Sequence, residues 1–110
     1  MKLPNADNAV MPTEKLRGYL LSSSHPVGRF KGVFFRALRY TDGDWERLEA
    51  DIRSILTNDA TVREQTEYGQ KLEVRGIITG PAERNAEIVT AWIILKGESI
   101  PRFITAYPGD

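Results

Sequence analysis

A chain of 110 residues with ordinary apolar content is large enough for one modest core and too small for two. It has no cysteine, which excludes disulfides, thiolate catalysis and the usual structural zinc sites. Its net charge of zero argues against binding nucleic acid by bulk electrostatics, although the charge is unevenly spread. Residues 12–40 carry Lys15, Arg17, Arg29, Lys31, Arg36 and Arg39 against Glu14 alone, whereas residues 41–67 are predominantly acidic. Such a layout suits an anion site followed by a shielded or partner-binding face, and equally suits ordinary solvated helix faces.

The opening residues, MKLPNADNAVMP, lack the apolar stretch of a signal peptide, and no apolar run approaches membrane-spanning length, so the expected location is the cytoplasm. A first helix is predicted over residues 12–21. Pro12 suits its first turn, Glu14 its positive end, and Leu16, Tyr19 and Leu20 form an apolar stripe. Ser22, Ser23 and Ser24 break it, and His25-Pro26 forms the entry turn to a second helix from Gly28 to Leu38, with Phe30, Val33, Phe34, Ala37 and Leu38 on its apolar face. Thr41 and Asp44 read as a capping box for a third helix over residues 42–57, whose apolar positions are Trp45, Leu48, Ile52, Ile55 and Leu56.

From residue 60 the period becomes two. Strands are predicted over 61–67, 71–79, 86–96 and 101–107, with turns near Gly69, Gly80-Pro81-Ala82-Glu83 and Gly97. The third is apolar on both faces, which predicts a central strand covered on both sides. In the fourth, alternation puts Phe103, Thr105 and Tyr107 on one face, Ile104 and Ala106 on the other. The expected fold is α+β, with N-terminal helices packed on a four-stranded antiparallel sheet.

Two polar clusters carry the chemistry. SHPVGRFK at 24–31 holds the sole histidine, and RFITAYP at 102–108 lies near the end of the chain. RNA is cleaved by its own 2′-hydroxyl when a base takes the 2′ proton, an acid protonates the departing 5′ oxygen, and cationic or hydroxyl donors stabilise charge on phosphorus. No metal or other cofactor is required. His25 is the one side chain whose unperturbed pKa lies near neutrality. Lys31 and Arg29 are suited to hold phosphate, and Thr105 and Tyr107 to add neutral donors. Structural roles compete throughout: a histidine that satisfies a turn, an exposed lysine, a plain strand threonine, an edge tyrosine and, at Arg102, a solvated charge. Other chemistries find less support, because Asp42-Gly43-Asp44-Trp45-Glu46 lacks the calcium-loop pattern, Gly28 and Gly32 fit no phosphate fingerprint, and Ser22–Ser24 sit in no nucleophile elbow.

Three segments, the first forty residues, EYGQKLEVRGIITGP and VTAWIILKGESIPRFITAYP, together resemble a widespread bacterial family of small domains of unknown function, similar to toxins of toxin–antitoxin pairs. The order of helices and strands also resembles the barnase, EndoU, colicin and RelE superfamily of metal-independent ribonucleases. That resemblance implies His25 as general base or acid, Lys31 as a phosphate or transition-state cation, Thr105 and Tyr107 as phosphate donors and Arg102 as a further cation. It also implies an RNA substrate and a small antitoxin-like partner. The chain departs from the pattern in its neutrality and in having Arg39 where glycine is common before the third helix. A non-catalytic binding module, of antitoxin or immunity type, stands as the alternative. An accessory domain in nucleic-acid handling is less favoured, for want of an aromatic stacking platform.

Overall fold

The computed structural model describes residues 1–21 and 28–109; the side chains of residues 28–31 and 42 lie outside that description. The described residues form an α+β fold in which helices α1 (Thr13–Lys15), α2 (Gly28–Ala37) and α3 (Trp45–Ser54) precede strands β1 (Ala60–Thr66), β2 (Gly69–Thr79), β3 (Asn85–Leu95) and β4 (Arg102–Pro108). The strands pair in sequence order as an antiparallel meander, so β1 and β4 are the edges.

Each predicted element is present, and the details differ where local geometry overrides periodicity. The first helix is a single α turn that continues as a π turn over Leu16–Leu20, marked by the Leu21 N–H bonding to the Leu16 carbonyl at 2.9 Å. The wider turn keeps both Leu16 and Leu20 fully buried while redirecting Tyr19. The third helix begins in a short 3-10 turn, Asp42–Asp44. The Asp44 carboxylate there accepts from the Thr41 N–H at 2.7 Å and from its hydroxyl at 2.9 Å, and those bonds hold it below the usual carboxylate range. A second 3-10 turn, Ile55–Thr57, closes the segment.

α2 ends in a Schellman motif. The Tyr40 N–H reaches the Phe35 carbonyl at 3.2 Å and the Arg39 N–H reaches the Arg36 carbonyl at 2.9 Å, with Arg39 at φ 74°. Arg39 therefore occupies the left-handed position that favours glycine.

The helices pack on the sheet face that carries Leu72, Val74, Ile78, Ile88 and Trp92, joined by Phe35, Tyr40, Leu48 and Ile52. Trp92 meets Phe103 edge-to-face at 5.2 Å between ring centres. The indole N–H is satisfied within this core, donating to the Thr90 hydroxyl at 2.9 Å, which itself donates to the Val74 carbonyl at 3.0 Å. The Tyr40 hydroxyl donates to Asp51, and burial, followed by that bond, pushes the phenol far above its ordinary pKa.

Two expectations for the sheet change. Phe103 faces the core, because a β-bulge between Phe103 and Thr105 leaves Ile104 as the extra residue and shifts the alternation by one. Phe103 and Ala106 consequently point to the core, and Thr105 and Tyr107 to the opposite face. β3 is interior, as expected, but the described helices pack on one of its faces only. On the other, Val89 is buried to 2 % exposure outside the main core, with Arg75 and Tyr107 as its ladder neighbours. Long polar side chains there do what a second helical layer would have done.

The N-terminal residues form a strap across the sheet. Lys2 bridges to Asp59 just before β1, and the Ala60 N–H bonds to the Met1 carbonyl at 2.6 Å. Leu3, Ala9 and Met11 enter the core on the way. Val10 then bridges to Arg102, accepting from the Phe103 N–H and donating to the Pro101 carbonyl, both at 2.9 Å.

Candidate functional site

The bulge in β4 decides what the sheet offers on the face away from the helices. Once Ile104 has absorbed the extra residue, Thr105 and Tyr107 lie side by side there, two positions and about 7 Å apart along the strand. The Tyr107 hydroxyl donates to Glu73 Oε2 on β2 at 2.5 Å, and Arg63 Nε on β1 meets Glu73 Oε1 at 2.8 Å. Arg75, next along β2, pairs with Glu87 Oε1 on β3 at 2.7 Å and also reaches the Gly109 carbonyl.

These contacts fix protonation. Burial tends to raise the pKa of Glu73, but the bonds from Tyr107 and Arg63 outweigh it, so the carboxyl sits below its usual range and is ionised at neutral pH. The bond to Glu73, then burial, raises the Tyr107 phenol, and the Glu73 carboxylate raises the Arg63 guanidinium. Tyr107 is accordingly a neutral hydroxyl beside a permanent carboxylate flanked by two arginines.

Thr105 connects this face to the first helical segment. Its hydroxyl lies 3.5 Å from the Tyr19 hydroxyl, at the long limit of a hydrogen bond. The Tyr19 ring packs against the core, as the apolar stripe predicts, while its hydroxyl reaches β4. Over the Tyr19 ring sits the Lys15 ammonium, 5.4 Å from the ring centre. α2 also packs against β4, so the described elements on both sides of residues 22–27 touch the same edge strand.

Of the residues singled out from sequence, Thr105 and Tyr107 share the outward face. Arg102 lies about 16 Å along the strand from Tyr107, ion-paired with Glu98 at 3.2 Å. His25 lies outside the described residues; Arg29 and Lys31 belong to α2, with side chains outside the description. Sequence reasoning passed over Tyr19, Arg63, Glu73 and Arg75. The alternation Lys71, Glu73, Arg75 on one face of β2 was a readable signal for two of them, whereas the contact of Tyr19 with β4 depends on a π turn that no side-chain pattern announces. Among the described residues, no three acidic or histidine side chains converge as metal ligands. Nor is any helix among them long and apolar enough to cross a membrane.

Helices on one face of a four-stranded meander, with a polar edge strand, define a small α+β domain. The chain belongs to the family described as domain of unknown function DUF6883, matching it over residues 2–110. It is similar in structure to a chain of a contact-dependent growth inhibition toxin–immunity protein complex from Klebsiella pneumoniae 342. The TM-score is 0.69 at 18% identity, covering 96% of this chain and 97% of that one. No curated protein matches the sequence.

Proposed function

We propose that this protein is the toxin half of a bacterial toxin–antitoxin or toxin–immunity pair, and that it cleaves cytoplasmic RNA by internal transesterification without a metal. The 2′ oxygen attacks phosphorus and the bond to the 5′ oxygen breaks, leaving a 2′,3′-cyclic phosphate and a 5′-hydroxyl. In this reading His25 moves the proton, Lys31 and Arg29 hold the phosphate, and Thr105 and Tyr107 donate to its oxygens as charge builds, Tyr107 by turning its single O–H away from Glu73. Arg102 is a more distant cation for the RNA backbone. The fold belongs, on this reading, with the barnase, EndoU, colicin and RelE ribonucleases.

What carries the reading is the packing of the first helical segment, through Tyr19, and of α2 against the strand that bears Thr105 and Tyr107. The segment between those two elements contains His25. Likeness along the whole chain to a member of a toxin–immunity complex supports a role in such a pair, as toxin or as immunity protein.

A second reading, an immunity-type binding module, draws on one observation: Arg63 and Arg75 on the outward face are already paired with Glu73 and Glu87, in a protein of zero net charge. One experiment separates the two. The chain is expressed from a controlled promoter, with and without the product of the neighbouring gene, and cellular RNA is examined for new 5′-hydroxyl ends. A toxin slows growth and generates such ends, and His25→Ala abolishes both effects. Unaltered growth and intact RNA would remove the nuclease reading and leave the binding module.

A further inference from the structure

Beside the first helical segment lies a hollow of about 340 Å³ bordered by Pro12, Glu14, Lys15, Gly18 and Tyr19. A second, of about 410 Å³, is bordered by Thr13, Glu14, Arg17 and Gly18, so the two share Glu14 and Gly18. Both are shallow and open to solvent, and either is of the size of small-ligand sites. We propose that this double hollow is the seat of one nucleotide unit of the RNA, next to the point of cleavage; the inference rests on the ribonuclease reading.

Five observations carry it. Lys15 is half-buried rather than extended into water, its ammonium fixed over the Tyr19 ring, and among the described residues it forms no ion pair. A lysine so held presents its charge to a phosphate with little loss of side-chain entropy. Tyr19 carries its hydroxyl to Thr105, so the same ring borders the hollow and touches the strand of the candidate site. Arg17 adds a second cation to the border. Glu14 is the one carboxylate among the described residues of the lining, and its chemistry suits the amino edge of a base rather than a phosphate.

Gly18 supplies the fifth observation and the test. It lies on the border of both hollows, and a Cβ built on it meets nothing within 4 Å. A side chain at this position therefore starts from open space, among the described residues, on the border of both hollows. The full-length chain and its Gly18→Trp and Lys15→Gln variants are titrated with a short fluorescein-labelled RNA, fully 2′-O-methylated so that it binds without being cut. Cleavage of the unmethylated RNA and the urea unfolding midpoint are measured alongside. Gly18→Trp should lower affinity and cleavage by tenfold or more with an unchanged midpoint. Lys15→Gln should weaken binding and reduce the slope of log affinity against log salt by about 0.7, the value for one single-strand phosphate contact. RNA bound and cut equally well by Gly18→Trp would overturn the nucleotide seat and leave the ribonuclease reading standing. An unsubstituted chain that neither binds nor cuts RNA would overturn both.

Discussion

Arg39 gives the sharpest test of how local geometry and sequence trade off in this fold. It sits at φ 74°, two residues beyond the end of α2 proper, in a Schellman motif whose two hydrogen bonds are both formed. A side chain in the left-handed region costs about 1–2 kcal/mol through the approach of Cβ to the following carbonyl. Glycine removes that cost but adds about 0.4–1 kcal/mol of unfolded-state entropy. Arg39→Gly is therefore expected to stabilise the protein by roughly 0.5–1 kcal/mol. For a domain of this size that is a rise of about 2–4 °C in Tm, or about half a molar in the urea midpoint. The Arg39 side chain is exposed and makes no hydrogen bond or ion pair among the described residues, so Arg39→Ala isolates its loss while keeping Cβ and the strain. Arg39→Ala should stay within about 0.5 kcal/mol of the natural chain. Urea unfolding of the three proteins measures the difference. If Arg39→Gly proves no more stable than Arg39→Ala, the strain assigned to this position does not exist.

Three other perturbations address the sheet. Because the folded-state pKa of Glu73 is lowered, its contribution is present above the unfolded carboxyl pKa and is lost as pH falls through the folded one; Tyr107→Phe should cost about 1 kcal/mol at neutral pH after solvent screening, and the stability curves of variant and natural chain should converge in acid, with a constant gap down to the lowest pH counting against the Tyr107–Glu73 bond. Thr90→Val leaves the buried Trp92 N–H without its acceptor and should destabilise by about 1–3 kcal/mol in urea unfolding, with Thr90→Ser recovering most of the loss. In Gly76→Ala the added Cβ would come within 2.6 Å of Ile55 Cβ and 2.8 Å of Asn58 Nδ2, so a loss of about 1–3 kcal/mol is expected, and a neutral effect in thermal unfolding would mean that the turn after α3 yields freely.

Most of the architecture was legible because hydrophobic period is a strong signal where one face is buried. The Thr41–Asp44 cap, the third helix over 42–57 and the four strands all follow from it to within a residue or two. The failures share a cause. A π turn at Leu16–Leu20 and a bulge at Ile104 each insert one residue into a regular repeat, and neither leaves a trace in the composition around it. Strict alternation therefore places Phe103 with Thr105 and Tyr107 instead of in the core, and the apolar stripe, in which Tyr19 does pack, gives no sign of its hydroxyl reaching Thr105. Arg39 was noticed as a departure from glycine, and its positive φ supplies the physical reason for glycine there. At the site, Thr105 and Tyr107 were identifiable as a pair, while Glu73, Arg63 and Arg75 become relevant only through cross-strand register, which a single sequence does not encode directly.

The strap has a consequence for how the molecule comes into being. Every backbone partner that holds it at the sheet edges, at Asp59 and Ala60 on one side and at Pro101, Arg102 and Phe103 on the other, is synthesised long after the strap has left the ribosome. The strap must wait, unanchored at its far end, until β4 has been made. This domain cannot reach its finished state piecemeal, and its folding becomes a single event in which strap and β4 close together.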